Sequence, residues 1–293
     1  MPRHYHVFSN AKAGNAASLS EVKRAFKAHD AQVSFHTITA TLAQRVASLE
    51  KQKNIVLVAA GGDGTVNAIV NAAARSPHPV GVLPLGTLNH FAKDIGMPTD
   101  ITEAVTELLQ GAPTKLDVAK VNDHLFVNNS SIGFYPNMVT LREHHLPLLP
   151  KWAASFFASL AALGRIRRYH IRLSVDGKKH VLRSPFVFIG NNRYSFLPPN
   201  ITERTTLTGG ELSLQVVKTG NLLSVVQDVF RELFGHPKRN IISYSGKNIV
   251  VSMRRSRIRV AYDGEVSALS TPLNYQILPK KLHIITPKND TAN

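Results

Sequence analysis

Asn54-Ile55-Val56-Leu57-Val58-Ala59-Ala60-Gly61-Gly62-Asp63-Gly64-Thr65-Val66-Asn67 is the stretch on which the fold turns. Its unbroken apolar run, Ile55–Ala60, fits a strand buried on both faces, as parallel sheets covered by helices require. The run enters a loop with three glycines and one carboxylate. Thr65–Ala74 follows, with Val66, Ile69, Val70 and Ala73 on one side at helical spacing. Glycines let a backbone approach a bulky anion, and a helix N-terminus adds partial positive charge. The loop is therefore predicted to hold a phosphate.

Two familiar phosphate loops are excluded. A Walker A loop needs Gly-Lys-Ser/Thr, which the chain lacks. A dinucleotide fingerprint needs a third glycine where Asn67 stands. Asp63 would repel a phosphate unless Mg²⁺ or a proton mediates, which makes it a candidate Mg²⁺ ligand. The other reading of Asp63 is a helix cap.

Outward from this stretch the arrangement recurs. Val82-Leu83-Pro84-Leu85-Gly86-Thr87-Leu88-Asn89-His90-Phe91-Ala92 again reads strand, glycine turn, hydroxyl and helix, one βα unit later. Phe8-Ser9-Asn10-Ala11-Lys12-Ala13-Gly14-Asn15 supplies a glycine-bearing turn after the first strand. Strands are predicted over 4–8, 32–38, 55–60, 80–83, 115–121 and 125–129, with helices over 18–29, 42–52, 65–74, 89–95 and 101–109. This alternation predicts an N-terminal three-layer α/β nucleotide-binding domain with a mostly parallel sheet, over residues 1–130. Ligands in such folds bind at the carboxyl edge of the sheet.

After Gly133 the pattern changes. Residues 148–168 predict an amphipathic helix with Trp152, Phe156, Phe157, Leu160 and Leu163 opposed to Arg165, Arg167 and Arg168. Strands are then predicted over 171–175, 181–189, 212–217, 249–253, 258–262, 275–278 and 283–286, with a turn at Asp176-Gly177 and a helix near 222–234. This predicts a β-sandwich-like domain over 131–285, with the tail 286–293 returning to the first domain.

The balance of charge, 35 − 19 = +16, attracts polyanions, and the basic runs fall mostly in the second half. With 43% apolar residues the chain can build a real core. The absence of cysteine excludes disulfides and thiolate metal sites, and fits a reducing cytoplasm. No secretory signal is expected from Met1-Pro2-Arg3-His4-Tyr5-His6-Val7-Phe8. The apolar stretch 146–164 is broken by Pro147, Pro150 and Lys151, so it is not expected to span a bilayer. Thirteen histidines carry no His-Glu-x-x-His pattern, and zinc is not expected.

Asn10-Ala11-Lys12-Ala13-Gly14, Gly61-Gly62-Asp63-Gly64-Thr65-Val66-Asn67, Gly86-Thr87-Leu88-Asn89-His90-Phe91-Ala92 and Asp263-Gly264-Glu265 together resemble the motifs of the diacylglycerol and sphingoid lipid kinases, in order and over almost the whole chain. The resemblance implies an ATP-dependent enzyme that phosphorylates a lipid hydroxyl such as that of diacylglycerol. ATP would be surrounded by Asn10, Thr39, Gly61, Gly62, Asp63, Gly64, Thr65, Asn67, Gly86 and Thr87, and Mg²⁺ would meet Asp63. Glu265 would be the general base, and Asp117 matches a further acidic position. Two positions depart from the family's pattern. Ala68 replaces a common glutamate, and Gly209-Gly210-Glu211-Leu212-Ser213 keeps one acid of an accessory metal site. The expected partners are a lipid substrate and an anionic membrane surface, reached through the 148–168 helix by a cytoplasmic, peripherally attached protein. Nucleic acid is not expected. Two other readings compete, an NAD kinase and a catalytically silent basic module that binds membranes or nucleic acid.

Overall fold

The computed structural model describes residues 3–10, 16–133, 168–194, 204–218, 231 and 240–288. The helices predicted over 148–168 and 222–234, apart from Arg168 and Arg231, lie outside the described residues, as do positions 11–15 of the first turn.

The described residues form two compact units. The first holds those up to Val118, His124–Val127 and those from Pro279 on; the second holds Ala119–Asp123 and Asn128–Leu278.

In the first unit, β1 (His4–Ser9), β2 (Val33–Thr37), β3 (Ile55–Gly61) and β4 (Val80–Pro84) pair in the order β2-β1-β3-β4, all parallel. The final strand β16 (Leu273–Thr286) joins in parallel beside β4 through Ile284 and Val80. All seven residues of β3 are buried, so its hydrophobicity is continuous rather than alternating. Successive residues of β1 serve opposite faces. Tyr5 meets Phe26 of α1 (Ala16–Ala28) at 5.6 Å between rings, whereas His6 faces the side where Arg45 of α2 (Leu42–Leu49) approaches His36. Helix α3 (Asp63–Ala72) packs beside α2. Helix α5 (Ile101–Gln110) packs beside α1, so close to β4 that a Cβ on Gly81 would lie 2.4 Å from Leu108 Cδ1. Asp100 caps α5 by accepting the Glu103 N–H at 2.9 Å. Helices thus cover both faces, giving three layers. Short α4 (His90–Asp94) follows β4, and β5 (Ala112–Val121) pairs with β16 and with β6 (His124–Phe126).

The second unit is antiparallel. One sheet runs β12 (Ile241–Gly246), β11 (Leu212–Val217), β10 (Phe186–Asn191), β7 (Asn129–Gly133), β14 (Arg257–Tyr262) and β15 (Glu265–Ser270). The other sets the first part of β16 beside β13 (Asn248–Met253), then β8 (Tyr169–Val175) and β9 (Lys178–Ser184). The sheets meet through Ser130 and Tyr275, whose hydroxyls are 3.1 Å apart, and through His180 and Tyr244, with rings 4.7 Å apart. This is the expected β-sandwich-like fold.

Four predicted strands take a different form. The strand predicted over 125–129 is two elements, β6 and β7, in different sheets. The one predicted over 181–189 is also two, because the chain switches sheets at Pro185, where the Ser184 hydroxyl accepts the Phe186 N–H at 3.0 Å. Conversely, 275–278 and 283–286 belong to one strand, β16, kinked at Lys280 with φ 53°. No helix among the described residues is long and apolar enough to cross a membrane.

Candidate nucleotide site on the parallel sheet

Because β2, β1, β3 and β4 are parallel neighbours, the residues just past their ends lie in a row: Thr39, Asn10, Gly62 and Gly86. Three strand spacings of roughly 4.8 Å make that row about 14 Å wide. Thr39 is exposed, and its hydroxyl lies 2.9 Å from that of Thr41. Asn10 is exposed.

The turns after β3 and β4 touch through their backbones. A Cβ on Gly86 would fall 2.4 Å from the Gly62 Cα, and a Cβ on Gly62 would fall 3.3 Å from the Gly86 Cα. No side chain fits at Gly86 without moving one turn off the other. Gly61 is constrained from a different side, since its Cβ would meet the Thr65 hydroxyl at 2.3 Å. The buried Thr65 thus folds back over the end of β3, and its N–H donates to the Gly62 carbonyl at 2.9 Å. This opens α3 with its first amides at the mouth of the row, where the helix carries partial positive charge.

Asp63 ties the two turns together. Its carboxylate oxygens accept the N–H of His90 at 3.2 Å and of Phe91 at 3.1 Å. It therefore caps α4, one βα unit away, while standing in the first turn of its own helix α3. Asp63 therefore caps a helix, though the neighbouring α4 and not its own α3. Asn89 fixes the second turn in the left-handed conformation, φ 50°. Its amide oxygen accepts the Gly86 N–H at 3.0 Å, and its amide nitrogen donates to the Gly86 carbonyl at 2.9 Å. Gly86 and Thr87 are left exposed on top.

Asn67 faces the other way. Buried on α3, it donates to the Leu125 carbonyl at 2.9 Å, as Asn71 also does. These amides pin α3 to β6. Asp117 on β5 is 2% exposed and accepts the Lys280 N–H at 2.8 Å, holding the kink of β16.

Glu265 belongs to the second unit. Asp263 and Gly264, with φ of 46° and 87°, make the two-residue turn between β14 and β15, and Glu265 is exposed at the start of β15. Asp263 itself is buried, and one carboxylate oxygen accepts the N–H of Asn128 at 2.8 Å and of Asn129 at 3.2 Å. Glu211 pairs with Arg193, and Asn191 and Asn192 are fully buried. Asn89 and Asp263 escape a reading by residue type. Their signals were the asparagine three places after Gly86 and the acid before Gly264.

Among the described residues no group of three histidine or acidic side chains could cage a metal. Mg²⁺ bound with a nucleotide needs only one or two carboxylates, because phosphates and water supply the rest. Asp63, in the first turn of α3, fits that role.

Profiles of known families match this chain in two parts, the diacylglycerol kinase catalytic domain over residues 4–121 and the YegS C-terminal NAD kinase beta sandwich-like domain over residues 134–286. The chain belongs to the diacylglycerol kinase family, a family of lipid kinases. A diacylglycerol kinase of Staphylococcus aureus (strain bovine RF122 / ET3-1) is 26% identical over 243 residues, 81% of this chain and 76% of that one. Two crystal structures from Bacillus anthracis str. Sterne share the fold. One, described as a diacylglycerol kinase, has a TM-score of 0.68 at 20% identity and covers 98% of this chain and 97% of its own. The other reaches 0.77 at 22% identity and covers 98% of both.

Proposed function

We propose that this lipid kinase transfers the γ-phosphate of ATP to the hydroxyl of a lipid such as diacylglycerol. The observation that carries the reading is the backbone contact between Gly62 and Gly86, bridged by Asp63 across to α4. It brings the backbones of two glycine turns together with no side chain between them. ATP bound there with Mg²⁺ supplies the phosphoryl group. Gly61, Gly62, Gly64, Thr65, Gly86 and Thr87, with Asn10 and Thr39 farther along the row, orient the nucleotide. Asp63 would hold the Mg²⁺, which would offset the charge on the phosphates. Phosphoryl transfer then asks for a carboxylate near the attacking oxygen, and Glu265 takes the proton of the lipid hydroxyl. Asn67 and Asp117 support the site through α3 and β16. The first unit is thus the nucleotide-binding domain, and the β-rich unit receives the lipid at an anionic membrane surface.

The test is transfer from labelled ATP to a panel of lipid alcohols in mixed micelles. The wild type should label one of them, while Asp63→Ala and Glu265→Ala should not. Full turnover in the Glu265 variant would remove the base. Labelling of NAD with no lipid requirement would replace the whole reading.

A further inference from the structure

At the Gly133 end of β7 the second unit holds a cavity of about 390 Å³. The bend between β13 and β14 and the alternation along β14, in which Arg257 and Arg259 are exposed and Ile258 between them is buried, bring Arg255, Arg257 and Arg259 to its rim beside Gly133, Tyr169, Met253 and Ala268. Among the described residues no acidic side chain lines it. The one ion pair among the described residues is Arg193 with Glu211, so these three guanidinium groups have no carboxylate partner there. Arg257 makes a single long bond, 3.5 Å, to the Ala268 carbonyl. Three uncompensated cations on one rim repel each other, and a dense anion between them relieves that repulsion. Guanidinium forks match phosphate oxygens two at a time. Nucleic acid would instead need a groove of stacking platforms, and among the described residues Tyr169 is the one aromatic residue that lines the cavity.

We infer that the Arg255–Arg257–Arg259 cavity binds the phosphate headgroup of an anionic phospholipid, and so docks the β-rich unit on a bilayer. The inference rests on the lipid-kinase reading, which brings the chain to a membrane. Two proteins test it, Arg255→Gln/Arg257→Gln/Arg259→Gln and a control with equal charge loss on β9, Lys178→Gln/Lys179→Gln/Arg183→Gln. Each is sedimented with phosphatidylcholine vesicles, with and without phosphatidylglycerol, and assayed on a soluble short-chain diacylglycerol. The arginine variant should lose on the order of 100-fold in partition to the anionic vesicles. The control should lose about threefold or less, because charges beyond a Debye length are screened. Equal losses in both would make the effect one of net charge and overturn the site. So would loss of RNA binding with vesicle binding retained. Should the variant fail to fold, phenylglyoxal labelling of the wild type decides. Anionic vesicles, and not neutral ones, should protect these arginines, and unchanged labelling refutes the site. Vesicle binding that depends on the arginines, without any lipid phosphorylation, would sink the kinase reading and leave the site standing. Lipid phosphorylation with unaltered vesicle binding would do the reverse.

Discussion

Acid should destabilise the first unit through His6. The ring lies 5% exposed on β1, its Nδ1 is 3.0 Å from His36 Nε2, and its own Nε2 has no partner among the described residues. His4 stands 4.3 Å away between rings, and Arg45 approaches His36 at 3.5 Å. Burial first, then the positive fields of His4, His36, Arg45 and His78, lower its pKa from 6.5 to about 4. A base with a depressed folded pKa supports folding fully above the unfolded value, and that support is lost as pH falls from about 6.5 toward 4. At about pH 5 the unfolded chain holds nearly a full proton on this ring and the folded chain about a tenth of one. The loss there comes to about 2 kcal/mol. His36, whose pKa burial also lowers, acts in the same direction. The assay is denaturant unfolding of the wild type and of His6→Asn, near pH 7.5 and near pH 5. Asparagine keeps an acceptor near Nδ1 and takes up no proton, so the difference between the two proteins isolates His6 from the carboxylates that titrate alongside. That difference should move by about 2 kcal/mol between the two conditions. Parallel pH dependence in both proteins would refute the account.

Three further outcomes are expected. Gly86→Ala places a Cβ 2.4 Å from the Gly62 Cα, so the turns must part, and calorimetry should show ATP affinity falling at least tenfold. Asp263→Ala leaves the N–H groups of Asn128 and Asn129 without their acceptor and should cost about 2–4 kcal/mol in unfolding, whereas Asp263→Asn keeps most of it. Glu265→Gln changes an exposed side chain, so stability should hold within about 0.5 kcal/mol while turnover on lipid falls by about 10²–10⁴-fold.

The layered unit was legible because its signals are local. β3 is seven buried residues ending in glycine, and the glycine turns and α5 cap declare themselves within a few positions. The parallel sense of the strands follows from alternating strands and helices, whereas their order β2-β1-β3-β4, which sets the row along the carboxyl edge, does not. The β-rich unit hid more. β12 carries weak alternation and no strand is predicted there. In 181–189 only Pro185 marks the change of sheet, and a proline in a strand run fits an edge or a strand end as well as a switch between sheets.

Composition and spacing alone determined the fold class and the glycine turns, because each follows from what a residue does within its own turn or strand, while Asp117 and Glu265 were singled out by the resemblance to the lipid kinases. Tertiary structure decided what those residues hold. Asp63 caps a helix that begins 27 residues later, Asp117 holds a backbone amide 163 residues away, and Asp263 serves amides 135 and 134 residues back. Buried backbone amides must find acceptors, and which carboxylate serves which amide depends on how strands distant in sequence come to lie side by side.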